Sequence, residues 1–318
     1  MGIENDILKS TVTSQDYEIT DLDFAIGGSD IQRMNSFIYD LRQQPTTLKQ
    51  GIRIETQKEA RIQIEKIGFD KNTYLLAARE ENTTITHETK PTFGYQYIDA
   101  LEYAGKLIIG DRAIEDYRAS KRADFVSSMR AKLTEGLSID IDKLLWRSDS
   151  TSTIPVETYQ EGIQKLAASG TVIDAAAGVL TEDMLDEAIN SMPDDYQTGM
   201  IKFFMPRNMI QQFKGLARAR NTPLGDSYYT GNANLLYDSM SIVLAPYMGT
   251  YSNGGYTCSD IIFTDPRNII LGFQRFLSFE SERDAANSAY NYYYRLRFGI
   301  AIEETSAIVK IKNVRVVS

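Results

Sequence analysis

The chain has 318 residues, 42% apolar and 24% charged, with 34 basic against 43 acidic residues and a net charge of −9. This is ordinary globular composition, long enough for two domains or one elaborate one, and it excludes collagen-like, disordered and disulfide-stapled chains. No run approaches the ~20 apolar residues of a membrane helix. The first 30 residues hold seven acids and one lysine, which reads as the reverse of a signal or transit peptide. The overall balance gives no general electrostatic pull on DNA or anionic lipid.

The acidity is uneven. Residues 261–318 carry a net of +2, residues 1–30 a net of −6. Histidine and cysteine occur once each, as His87 and Cys258. No intrachain disulfide can form, and no Cys/His zinc cluster can be built. The plain readings are a loop imidazole and a small core thiol.

In chain order, residues 1–28 are poor in apolar residues and read as an extended arm ending at Gly27-Gly28. A short helix is expected next, with Ile31, Met34, Ile38 and Leu41 on one face and Pro45 beyond its end. Residues 51–110 read as strands: Ile52 and Ile54, Ile62 and Ile64, Tyr74 to Ala78, and Tyr95 to Leu101. The insert Glu80-Glu81-Asn82-Thr83-Thr84, followed by His87 to Pro91, holds nothing to pack a core. Two strands joined by such a tip predict a long projecting hairpin that must bury its faces on a surface other than its own.

Residues 122–146 form the clearest helix. Val126, Met129, Leu133, Leu137, Ile141 and Leu144 recur at spacings of three and four. Gly136 in its interior predicts a close approach of another backbone. Beyond the polar break Arg147 to Thr153, Thr181 can cap a helix through Met192, with Glu182 and Asp183 suiting its positive end. Pro206 opens a helix carrying Met209, Ile210, Phe213 and Leu216. Strands are expected at Ser241 to Ala245, Asp260 to Phe263, Asn268 to Phe273, Phe276 to Glu282, Tyr290 to Ile302 and Ala307 to Val316.

Chemical motifs are sparse. No glycine-rich run ends in Gly-Lys-Ser/Thr, and Gly225 to Gly231 lacks the lysine of a phosphate loop. Asp140 and Asp142 point to different helix faces and cannot share a metal. Glu303-Glu304 suits a turn. Tyrosines interleaved with Arg295 and Arg297 could stack nucleic-acid bases, but a strand with one core face and exposed arginines explains them equally. A carboxylate-based hydrolase, with acids brought together by the fold, stays open as a reading. No catalytic, metal or cofactor-binding residues are assigned, and no cofactor is expected.

Against this background the order of elements resembles a known family. Phe93 to Asp116, FGYQYIDALEYAGKLIIGDRAIED, looks like the capsid-family strand ending in "isdelleD". Arg122 to Asp149 resembles the helix of that family ending in "eD..ll.Gdg", here Asp142, Leu144, Leu145 and Asp149, with an Arg147-Ser148-Asp149 exit that lacks the glycine. Phe279 to Ala285, Tyr292 to Ile302 and Ala307 to Lys312 resemble its closing strands. The family is the major capsid proteins of tailed bacteriophages with the Hong Kong 97-type fold. The match runs through residues 74–150 and 181–317.

The resemblance implies an α+β fold with an N-terminal arm at 1–50 and a peripheral domain at 51–169 and 271–318. It places an extended hairpin, the E-loop, at about 70–97, a spine helix at 122–146 and an axial domain at 170–270. It implies a structural protein, not an enzyme, that self-assembles through hexamers and pentamers into an icosahedral shell around phage double-stranded DNA. The implied partners are other copies of itself, a portal protein and a separate scaffolding protein, with no sequence-specific DNA binding and no membrane. No N-terminal processing is expected. The place implied is the virion, after assembly in the bacterial host cytoplasm. Intersubunit contacts are expected from the hairpin residues Tyr74, Leu76, Arg79, Glu80, Ile85, Lys90 and Phe93. Some members join subunits by a Lys–Asn bond, for which Lys90 lies near the equivalent place. The alternative of the same fold is an encapsulin-type nanocompartment shell.

Overall fold

The computed structural model describes residues 47–317, apart from 57–58, 60, 69–87, 89, 120–124, 198 and 220–234. The described chain forms two compact units. The larger comprises residues 47–102, 134–275 and 297–317, the smaller 103–133 and 276–296.

The strands are β1 Arg53–Thr56, β2 Arg61–Gly68, β3 Thr92–Asp99, β4 Leu101–Gly110, β5 Thr171–Asp174, β6 Lys202–Met205, β7 Leu236–Tyr237, β8 Met240–Leu244, β9 Thr250–Asn253, β10 Tyr256–Thr264, β11 Ile269–Asp284, β12 Ala289–Ile302 and β13 Ile308–Arg315. The helices are α1 Asp111–Ala119, α2 Phe125–Arg147, α3 Ile163–Leu166, α4 Glu182–Ser191 and α5 Arg207–Ala219. Strand and helix mix throughout, as the α+β reading expects.

In the larger unit a seven-stranded sheet runs β5-β13-β10-β6-β8-β7, with β9 also paired to β10. Its interior residues are apolar: Ile261 and Phe263 of β10, Phe203 of β6, and Val309 and Ile311 of β13 are fully buried. The Phe203 and Phe263 rings stack at 4.2 Å. Helices α4 and α5 cover this core with Leu185, Ala188, Met209, Ile210 and Phe213. Thr181 takes the extended cap conformation before α4, but its side chain makes no capping bond; the acids Glu182 and Asp183 fill the first turn as expected. Pro206 precedes α5, and its carbonyl accepts from the Met209 and Ile210 N–H groups. The turn between β7 and β8 places Asp238 and Ser239 at φ 43° and 67°, a two-residue hairpin of the kind that fits strand twist.

The pairing of β13 differs from the sequence reading. It runs parallel to β5 and antiparallel to β10, so residues 308–315 lie in the sheet built from 171–264, whereas the sequence grouping had put them with 271–302. Periodicity shows that a strand exists and which face is apolar, but not which edge it joins. Residues 47–50, grouped with the arm, form one turn of 3-10 helix with Thr47 and Leu48 buried.

Helix α2 is 23 residues long, about 34 Å at 1.5 Å per residue. Leu137, Ile141, Leu144, Leu145 and Trp146 are buried, the stripe its spacing predicts. The expectation for Gly136 fails: a Cβ built there meets nothing within 4 Å. That glycine sits on the solvent side, and no backbone approaches it among the described residues.

A second sheet runs β1-β11-β12-β4. The single strand β11 replaces the two runs expected at 268–273 and 276–282. In the smaller unit, Ile109, Ile114 and Tyr292 form a cluster with Leu107 and Tyr290 packed against it. Helix α1 has no counterpart in the sequence reading; Ile114 is its one buried apolar residue, too few for a visible period. Its start is tied down by Asp111, whose N–H donates to the Ser288 carbonyl at 2.9 Å.

Candidate functional site

Strands β2 and β3 form a separate two-stranded antiparallel hairpin, in register from Arg61 opposite Asp99 to Gly68 opposite Thr92. The strand described opposite β3 is thus 61–68; the run 74–78, expected there from the sequence, lies outside the described residues. Side chains alternate between the faces of such a ribbon. One face carries Ile62, Ile64 and Ile98, buried together with Ala100, Ile270 and Ala301. Glycines in β11 and β12 allow this seating. A Cβ at Gly272 would lie 2.6 Å from Ile62, and one at Gly299 would lie 2.5 Å from the Asp99 carbonyl. Lys66 adds an ion pair to Glu304 at 3.7 Å, while Arg53 of β1 binds Glu303 at 3.0 Å.

The other face is aromatic. Phe93, Tyr95 and Tyr97 are 67%, 53% and 43% exposed. The Arg61 guanidinium lies 4.4 Å from the Tyr97 ring centroid and pairs with Asp99 at 3.4 Å. Of the expected contact residues, Phe93 stands on this face and Lys90 is exposed just before it. Tyr74, Leu76, Arg79, Glu80 and Ile85 lie outside the described residues, as does His87. The sequence reading missed Tyr95 and Tyr97, counting them in an apolar strand run. The alternation Phe93-Gly94-Tyr95-Gln96-Tyr97 was the signal that all three rings share one face.

The tyrosine- and arginine-bearing strand β12 presents no free base-stacking surface at its centre. Tyr292, Leu296 and Phe298 are buried. Arg295 pairs with Glu280 at 3.2 Å and Arg297 with Glu102 at 3.4 Å.

A cleft of about 510 Å³ lies in the larger unit, lined by acids that the hydrolase reading would need: Asp149, Glu157 and Asp260. Each is already engaged. Asp260 accepts from the Tyr251 hydroxyl at 2.5 Å and pairs with Lys310 at 3.0 Å. Burial, then the Asp260 charge, pushes the Tyr251 hydroxyl well above its ordinary pKa. Asp149 binds Thr151 and Lys165, whose combined pull outweighs its desolvation and holds it below the usual carboxylate range. Glu157 accepts from Ser152 at 2.7 Å. Among the described residues no three His, Cys, Asp or Glu side chains gather as a metal site, and no helix is long and apolar enough to cross a membrane.

The buried carboxylate is Asp142 on α2. It accepts from the Thr47 hydroxyl and, at 3.3 Å, from the Thr47 N–H; Trp146 Nε1 donates to the Thr47 hydroxyl oxygen at 2.8 Å. Burial raises the Asp142 pKa to about 6 against the opposing pull of the Thr47 and Trp146 bonds. Asp140 is exposed and bonds Lys143, so the two acids do face apart. Cys258 is a buried free thiol.

Comparison with known proteins gives the context for these surfaces. Residues 32–313 match the phage capsid family. The putative prophage capsid protein YqbE of Bacillus subtilis (strain 168) is 25% identical over 288 residues, covering 88% of this chain and 91% of that protein. The procapsid structure of satellite phage P4 that includes the size determination (Sid) protein superposes with a TM-score of 0.65 at 12% identity, over 93% of this chain and 94% of that one. The holo-SrpI encapsulin complex of Synechococcus elongatus PCC 7942 superposes with a TM-score of 0.57 at 13% identity, over 86% and 89%. The chain belongs to the phage capsid family and has the Hong Kong 97-type capsid fold.

Proposed function

We propose that this chain is a major capsid protein that assembles through hexamers and pentamers into an icosahedral shell enclosing phage double-stranded DNA. The observation that carries the reading, beyond family membership, is the hairpin of β2 and β3. One face is seated in its own subunit while the other holds three aromatic rings in water, an arrangement suited to covering by a neighbour. In this reading the hairpin is the E-loop, α2 is the spine helix and residues 1–46 are the arm. The seven-stranded sheet with α4 and α5 is the axial domain, and the sheet β1-β11-β12-β4 belongs to the peripheral domain. The net charge of −9 suits a container that should not adhere to its cargo. Portal and scaffolding proteins are the further partners. The shell forms in the bacterial host cytoplasm and ends in the virion. Lys90 is the residue a Lys–Asn bond between subunits would use.

The likeness to an encapsulin supports a second reading, a shell around protein cargo. Nuclease treatment of particles purified from producing cells separates the two. Protected double-stranded DNA of uniform length supports the phage shell; particles that hold a folded protein and no DNA support the compartment.

A further inference from the structure

We propose that the aromatic stripe Phe93, Tyr95 and Tyr97 of one copy seats on the segment Ile154–Tyr159 of a second copy, and that this contact closes subunits into rings. The inference rests on the capsid reading and names the surfaces it uses.

The stripe is presented by a strand whose opposite face is anchored by Ile98 and its partners, so the three rings are held in a fixed row. A matching surface exists on the same chain. Ile154, Val156 and Tyr159 are 49%, 46% and 64% exposed. Outside the hairpin, no other six-residue run among the described residues presents three large apolar side chains to solvent. This segment is also preformed. The Glu157 N–H donates to the Ile154 carbonyl at 2.9 Å, and the Asp149 N–H to the Glu157 carbonyl at 3.0 Å.

Two further observations point to a covering chain. Beside the segment, both polar atoms of the Gln160 carboxamide and one Glu161 oxygen are shielded from solvent without a hydrogen-bond partner among the described residues. Such unmet groups are costly in an isolated subunit and are satisfied when a partner supplies donors and acceptors. Charge is complementary as well. Residues 149–161 carry Asp149, Glu157 and Glu161 and no cation, whereas 61–68 and 90–99 carry Arg61, Lys66 and Lys90 against Glu65 and Asp99. Because stripe and segment are different surfaces, the contact is head-to-tail, the kind that generates rings when its rotation closes.

The test uses the sole native cysteine, which is buried, as a silent background. Tyr95→Cys and Val156→Cys are introduced together, the protein is assembled and mildly oxidised, and the product is run on non-reducing denaturing gels. The expected result is a ladder of covalent oligomers from the double variant and monomer from each single variant. Mixing the two single variants before assembly should give dimers and nothing larger. Particles of the double variant that yield only monomer would overturn the contact. So would Tyr95→Cys crosslinking to itself, which would place the stripe on a two-fold axis. If the unaltered chain never assembles, the capsid reading fails first and this proposal falls with it. A second pair of variants, Tyr95→Ser/Tyr97→Ser and Ile154→Ser/Val156→Ser, alters exposed residues and should leave subunit melting unchanged. Each should lower ring formation at least tenfold, and combining them should cost little more, because both remove the same contact; fully additive losses would overturn it.

Discussion

Replacing Asp142 by Asn should remove a pH dependence from the stability of the subunit. Asp142 is completely buried, and its pKa rises from 3.8 to about 6 on folding, chiefly because burial disfavours the charge. A carboxyl whose folded pKa is raised contributes stability that is fully present below the unfolded pKa and lost as pH rises through the folded one. The shift of about two units corresponds to about 3 kcal/mol, at 1.36 kcal/mol per unit. Asp149, Asp174, Asp284 and Glu304 are shifted the other way. They lose their stabilisation only as pH falls through their own lowered values, so between pH 5.5 and 8 they are ionised whether the chain is folded or not. In that window the difference between the unaltered chain and Asp142→Asn isolates the Asp142 site. Thermal melting of unassembled subunits, followed by circular dichroism, should show the unaltered chain losing several degrees from pH 5.5 to 8, at roughly 2–4 °C per kcal/mol. The variant should be nearly flat and the more stable of the two at pH 8. Parallel pH profiles, or a variant that is markedly weaker at pH 8, would refute the reasoning. The second result would mean that Thr47 needs the charge, not merely the oxygen.

Gly299→Ala should lower stability by about 1–3 kcal/mol, since the new methyl meets the Asp99 backbone at 2.5 Å, whereas Gly136→Ala, with nothing within 4 Å, should raise it by up to about 1 kcal/mol; melting of the pair checks both signs. Ala177 holds φ at 60°, a conformation glycine adopts freely, so Ala177→Gly should raise the melting temperature slightly, by about 1 kcal/mol at most. Substituting residues 78–94 by a short Gly-Ser turn should leave Ile62, Ile64 and Ile98 seated, with near-native circular dichroism, yet abolish normal shells; particles of normal size from that variant would show the hairpin to be dispensable.

The sequence revealed elements where side chains repeat along one segment. The stripe Leu137, Ile141 and Leu144 marked α2, and the alternation of Tyr292, Leu296 and Phe298 with Arg295 and Arg297 marked β12 and its buried face. It was silent where the determinant lies elsewhere in the chain. The seat of β13 between β5 and β10 depends on long-range pairing that its own pattern does not encode. Gly136 looked like a contact glycine because its neighbours are apolar, but its direction on the helix is outward. Gly272 and Gly299, which do mark close approach, stand in strands where spacing gives no warning. For the surface, Phe93 was legible as an exposed apolar residue near a polar tip. Tyr95 and Tyr97 were not, since tyrosine in a strand reads as core until the facing strand shows which side is already filled by isoleucines. Asp142 was read only as failing to share a face with Asp140; its bond to Thr47, 95 residues away, is invisible to any local pattern.

The central claim is that the chain builds closed shells from rings of identical subunits. Electron microscopy of the purified protein, alone and with a candidate scaffolding protein, tests it most directly. The account predicts closed particles of uniform size whose surface lattice resolves into six-fold and five-fold clusters. A chain that stays monomeric across concentration and with scaffold present, or that forms only irregular aggregates, would contradict it.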